Sequence, residues 1–151
     1  MQSIAQEAQR VSLLFRYGVL NSAEVIAWAD GMIAQMESPP DMLIELSIVA
    51  PEKTEDIIHC LGQLASRSDF WAAFRRAIPQ FRDFIISHPE NAEAIAHHFY
   101  LAAWETSTSD VPADFRFIFR FDDAFSLARD GICGDTKAVF HNFIRELEKF
   151  R

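Results

Sequence analysis

Histidine and cysteine stand side by side at positions 59 and 60, and an imidazole beside a thiol is the pairing that activates a cysteine nucleophile. The surrounding apolar residues have helical spacing, and successive residues of a helix point about 100° apart, so the two side chains diverge. Cys60 and Cys133 lie far apart in sequence and form no C-x-x-C or Cys/His ligand spacing. We therefore predict that both are reduced packing residues in a cytoplasmic protein.

Glu93 and His97 are four residues apart and would share one face of a helix. A metal centre needs further ligands of matching geometry, and the chain contains neither an E-x-x-H pair nor H-E-x-x-H. It also lacks a Gly-rich phosphate loop and the G-x-S-x-G nucleophile motif. The sequence therefore predicts no metal, no cofactor and no catalytic residues, and hence a protein that is not an enzyme.

Arginine alternates with aromatic residues between positions 67 and 88, a pattern that occurs in nucleic-acid-binding proteins. The chain as a whole has 22 acidic and 14 basic residues, however, and its formal charge of −8 opposes attraction to phosphate backbones and anionic lipids. We interpret the arginines as an internal salt-bridge face. No nucleic-acid partner is expected. No apolar run reaches about 18 residues and the N-terminus lacks a signal-peptide pattern, so we expect no membrane association.

The acidic residues are unevenly distributed along the chain. Residues 37–66 contain six acids and one base, and residues 89–114 contain five acids and no lysine or arginine. If the two segments adjoin in space, they form a negative face; the alternative is an ordinary solvated surface.

The elements that position these residues follow from caps and apolar stripes, and the central stretch is Tyr17 to Ser47. Asn21 and Glu24 have the spacing of a capping box, which predicts a helix from about Ser22 to the Pro39-Pro40 turn. A second helix begins near Asp41. Its apolar residues leave almost no polar face, so we expect this helix, with Glu45, to be buried.

Similar signals predict helices throughout the rest of the chain, over residues 3–17 and starting near Thr54, Asp69, Asn91 and Asp135. The polar segment from Glu105 to Asp114 is predicted to be an exposed loop. Phe115 to Phe121 alternates like a strand but would have no sheet partner, so we predict helix there. The expected fold is one all-α domain, residues 1–151. It is a compact irregular bundle of about seven helices, in which stacked antiparallel pairs are an allowed arrangement.

The first third of the chain resembles small bacterial immunity proteins of polymorphic-toxin and secretion-system effector loci. The similarity lies in the runs YG, S-x-E-V-I-x-W-A-D and P-P-x-x-L-I-E-L-S. The residues that carry it are Tyr17, Gly18, Trp28, Ala29, Asp30, Pro39, Pro40, Ile44, Glu45 and Leu46.

This resemblance implies a cytoplasmic protein that binds and neutralises a cognate toxin. Toxins that attack nucleic acid or nucleotides commonly have basic substrate clefts, and an acidic binder would be steered to such a cleft. The predicted partner-binding residues are Glu37, Asp41, Glu52, Glu55, Asp56, Glu105, Asp110 and Asp114. The alternative hypothesis is a helical adaptor or regulatory protein-interaction module without catalytic activity.

Overall fold

The computed structural model describes residues 3–106 and 110–150. These residues form α-helices joined by turns and short 3₁₀ segments, and they contain no strand. The all-α prediction is confirmed, with eight α-helices in the described ranges where about seven were expected. The helices are α1 (Ile4–Arg16), α2 (Ser22–Gln35), α3 (Asp41–Ser47), α4 (Thr54–Leu64), α5 (Phe70–Ser87), α6 (Ala92–Glu105), α7 (Ile118–Arg129) and α8 (Thr136–Leu147).

The chain divides into two compact units, unit 1 (residues 1–77) and unit 2 (residues 78–151), and the division falls inside α5. Helix α5 is continuous through Pro79. That residues 1–151 act as a single domain stays a prediction. Within the described residues, no helix is both long and apolar enough to cross a lipid bilayer.

The core of unit 1 is built from the apolar faces of α1 to α4. Helix α1 packs on α4, α2 packs on α3, and α3 packs on α4. Because each helix buries one stripe against its neighbours, the core is contiguous. Its buried members are Val11, Val25, Ala29, Leu43, Leu46, Ile57, Cys60 and Leu61.

The helix ends in unit 1 follow the sequence signals. Gly18 has φ +85°, a left-handed conformation that ends α1 and lets the amide of Val19 donate to the carbonyl of Leu14 at 2.8 Å. The predicted capping box of α2 is present. The Glu24 amide donates to Asn21 Oδ1 at 2.8 Å and the Asn21 amide donates to Glu24 Oε1 at 3.1 Å. These bonds satisfy two amides that the first turn leaves unpaired.

Helix α3 differs from its prediction in one respect. It begins at Asp41 as expected, but only Leu43 and Leu46 are fully buried. Ile44 is 43% exposed, Ile48 at its C-terminal end is 78% exposed, and Glu45 is exposed as well. The expectation of a buried helix and a buried Glu45 is therefore wrong, because α2 and α4 cover only one side of this short helix.

Unit 2 has an aromatic core. Phe143 of α8 lies against Phe99, Phe121 and Phe125, with ring centroids 6.0, 5.1 and 5.7 Å apart. Phe115 stacks on Phe150 at 4.7 Å. Since these contacts join α6, α7 and α8, the apolar stripe of α8 is docked in the unit, as predicted.

The Phe115 to Phe121 segment contains no strand and is helical from Ile118, so the helix prediction is confirmed for its second half, whereas Arg116 and Phe117 form a turn. A 3₁₀ turn at Ala113–Phe115 is followed by α7 from Ile118, and Phe117, Phe121 and Phe125 are all buried. A stripe with helical spacing buries these rings on one side, which an unpaired strand would not do.

Candidate protein-binding surface

Five of the eight predicted partner-binding residues lie in unit 1, and all five are exposed. Glu37 precedes α3, and Asp41 is the first residue of that helix. Glu55 and Asp56 occupy the first turn of α4, next to Glu52, and these three residues line a shallow depression of about 310 Å³. Carboxylates in a first turn are favoured by the positive end of the helix dipole.

The outward face of α3 combines acidic and apolar side chains. Asp41, Ile44, Glu45 and Ile48 are spaced i, i+3, i+4 and i+7, so they share one side of the helix, and all four are exposed. We call these four residues the α3 ridge. Sequence analysis included Asp41 but missed the other three, because nothing local distinguishes an exposed isoleucine from a buried one in a helix that is apolar nearly all round.

Helix α3 packs against α4, and the charge of Glu45 on α3 acts on the thiol of Cys60 on α4. Burial raises the pKa of Cys60 above its ordinary value of 9.0, and the negative charges of Glu45 and Asp56 raise it further. A carboxylate has such an effect only from nearby. Asp56 lies one turn before Cys60 on α4, whereas Glu45 reaches it from α3. Helices α3 and α4 therefore each place an acidic residue close enough to act on the Cys60 thiol.

The other three predicted residues lie in unit 2 and are exposed too. Glu105 ends α6, Asp110 follows residues 107–109, which lie outside the described residues, and Asp114 is in the 3₁₀ turn. The part of the predicted loop at 107–109 is thus not described. That the acidic residues of the two units form one surface stays a prediction.

Exposed apolar side chains lie on α6 just before Glu105. Trp104 is 56% exposed and Leu101 is 42% exposed, and the ring of Tyr100 lies 6.1 Å from that of Trp104. Sequence analysis did not identify Trp104 as a surface residue. Tryptophan is enriched among the residues that dominate protein–protein binding energy.

The His59–Cys60 pair does not form a nucleophilic site. Cys60 is 4% exposed and packs in the core, whereas His59 is exposed. The raised pKa keeps the Cys60 thiol protonated, which opposes nucleophilic attack. Both cysteines are free, but Cys133 is exposed, so the prediction that it packs internally is wrong. It lies in the turn between α7 and α8, between Ile132 and Gly134.

Glu93 and His97 have separate partners. Glu93 accepts a hydrogen bond from Arg129 at 2.6 Å, and His97 Nδ1 lies 2.9 Å from Asp122 Oδ1. Across residues 3–106 and 110–150, no three His, Cys, Asp or Glu side chains are arranged to hold a metal ion. That the protein works without a metal stays a prediction.

Two arginines of the 67–88 segment form salt bridges, as expected if these arginines make an internal salt-bridge face. Arg82 lies 3.0 Å from Asp83, and Arg76 lies 3.7 Å from Glu7. The absence of a nucleic-acid partner stays a prediction based on net charge.

Comparison with known proteins identifies no relative of this chain. No family model matches the chain, and neither the curated proteins nor the solved structures give a match.

Proposed function

We propose that this chain acts by binding another protein, and that it neutralises a cognate bacterial toxin in the cytoplasm. The observation that carries the proposal is the α3 ridge, where Ile44 and Ile48 are exposed one helical turn apart among carboxylates. Protein interfaces commonly have an apolar centre and a polar rim. The acidic residues beside the ridge supply such a rim.

The exposed isoleucines of the ridge support a binding role because they do not belong to the packed core of the isolated fold. Leu43 and Leu46 already anchor α3 in the core, and they are fully buried. Ile48 adds a large apolar side chain that is 78% exposed to water. Covering such side chains with a partner is favourable by about 25 cal/mol per Å² of apolar surface.

The charge of this region supports a basic partner. Residues 37–66 contain six acids against Lys53 as the single base. Opposite charges raise the association rate and select against partners with a negative face. A toxin with a basic substrate cleft has the complementary surface.

The resemblance to immunity proteins supports a bacterial toxin as the partner. Two of the residues that carry it, Ile44 and Glu45, belong to the α3 ridge, whereas Ala29 and Leu46 belong to the core. The similarity therefore includes surface positions that a partner would touch as well as packing positions.

The second candidate function is that of a helical adaptor. It is favoured by the exposed Leu101 and Trp104 beside Glu105, because unit 2 then offers an apolar and acidic surface of its own. An adaptor would bind two partners at once through the two surfaces. An immunity protein needs only its toxin.

Growth of cells that co-express this chain with the product of the neighbouring open reading frame, as the proposed toxin, tests the proposal. We expect the native chain to restore growth, and the double variant Ile44→Ser, Ile48→Ser to lose protection while keeping its helical spectrum. The matched control is Leu127→Ser, an exposed apolar position in unit 2, which should protect like the native chain. Full protection by the ridge variant would reject the ridge as the binding surface; growth arrest with the native chain would reject the immunity function.

A further inference from the structure

Unit 2 contains an apolar groove that the proposed function does not use. The groove has a volume of about 650 Å³ and lies between the 3₁₀ turn Pro89–Asn91, the start of α6, and α8. Its apolar wall includes Ala92 and Phe125, which are 1% and 2% exposed, and the half-buried Phe140. A volume of this size accommodates a large side chain and part of its neighbours.

Carboxylates surround the groove. Glu90 and Glu93 line it on the α6 side, and Asp135 lines it at the start of α8. Glu90 and Glu93 also line a neighbouring cleft of about 560 Å³, so the two depressions share a wall. The second cleft adds Asp122 and Asp123. The two together are lined by five carboxylates and by two permanent cations, Arg129 and Lys137.

The negative charge is only partly compensated within unit 2. Arg129 is held by Glu93 at 2.6 Å and by Asp130 at 3.3 Å. Glu90 and Asp123 form no ion pair with any residue that the structure describes, and both are exposed. Lys137 lines the groove beside Glu90 and offsets part of this charge, but five carboxylates outnumber two cations, so an anionic ligand would be disfavoured here and a cationic ligand attracted.

We propose that this groove binds an extended basic segment of another protein. One aromatic side chain of that segment occupies the apolar groove against Phe125 and Phe140, and the lysine or arginine side chains next to it lie along Glu90 and Asp123. The apolar groove buries the aromatic side chain of the segment. The carboxylates select a basic segment and fix its direction. This proposal does not depend on the toxin-binding function, because the residues involved all belong to unit 2 and none belongs to the α3 ridge.

Fluorescence anisotropy with synthetic peptides tests the proposal on the full chain. The probe is a short labelled peptide that has one phenylalanine followed by Lys-Arg-Lys between glycines. We expect saturable binding that weakens as salt is added, since part of the attraction is electrostatic. A peptide with glycine in place of phenylalanine should bind several-fold more weakly, and one with glutamates in place of the basic residues should not bind.

Variants of the protein locate the site. The exposed pair Glu90→Lys, Asp123→Lys should weaken binding by about tenfold or more, because it replaces two attractive charges by repulsive ones. Phe140→Ala should weaken binding of the phenylalanine peptide but not of its glycine version. The matched control is Glu148→Lys, which directly follows α8 and lies outside the groove; it should bind like the native chain. Equal binding of the acidic peptide, equal binding by the Glu90 and Asp123 variant, or no saturable binding would overturn the proposal.

Discussion

The thiol of Cys60 has a pKa that its surroundings raise above its ordinary value. Burial opposes the thiolate, and the negative charges of Glu45 and Asp56 oppose it further. A cysteine of this kind is a packing residue and an indicator of local charge. Its two charged neighbours come from different helices, Glu45 from α3 and Asp56 from α4.

Removing one of those charges should change the pKa of Cys60 in a known direction. In a Cys133→Ser background, we expect Glu45→Gln to lower the pKa of Cys60 toward its ordinary value of 9.0, because one of the charges that oppose the thiolate is gone. Ultraviolet absorbance of the thiolate during a pH titration measures this shift. Glu24→Gln, a change of the same kind on α2, is the control and should leave the titration unchanged. An unaltered pKa in Glu45→Gln would mean that α3 does not lie against Cys60.

The same raised pKa has a consequence for stability. A folded-state pKa above the unfolded value means that the folded chain holds the proton more tightly. The resulting stabilisation is complete below the ordinary pKa of 9.0 and is lost as the pH rises through the folded-state pKa. Replacement of Cys60 should therefore flatten the decline of stability in alkaline solution.

At the scale of the element, α3 has two sides with opposite roles. Leu43 and Leu46 are fully buried and join the core, whereas Ile44 and Ile48 are exposed. Sequence periodicity did not separate them, because all four are apolar and the helix has only seven residues. Which side faces water depends on where α2 and α4 pack, and that is long-range information.

Alanine substitutions on the two sides of α3 should have very different effects on stability. We expect Leu46→Ala to lower the free energy of unfolding by about 2–5 kcal/mol, because it removes buried methyl groups and leaves a cavity. Ile48→Ala should change it by about 0.5 kcal/mol or less, since surface substitutions seldom do more. Denaturant unfolding of both variants measures the difference. Similar losses for the two would place Ile48 in a packed environment and remove it from the surface.

At the scale of the whole molecule, the helices were largely predictable and the binding surface was only partly so. The start of α2 followed from Asn21 and Glu24, and the start of α8 followed from Asp135, because caps act within a few residues of the chain. Exposure of the acidic residues followed from the cost of burying charge. The α3 ridge and Trp104 did not follow, since the exposure of an apolar side chain is decided by the packing of distant elements.

The central claim is that the acidic surface of unit 1 binds a basic partner, and its affinity under varied salt tests this most directly. The measurement is surface plasmon resonance with the product of the neighbouring open reading frame as the proposed toxin. The variants are the charge reversal Asp41→Lys, Glu52→Lys, Glu55→Lys, Asp56→Lys and the control Arg75→Glu. The four-fold reversal should weaken binding and flatten its salt dependence, because it removes the attraction that salt screens. Arg75→Glu should change the affinity less than the four-fold reversal does. Unchanged affinity and salt dependence in the reversed protein, with its helical spectrum intact, would contradict the claim and assign these carboxylates to solubility alone.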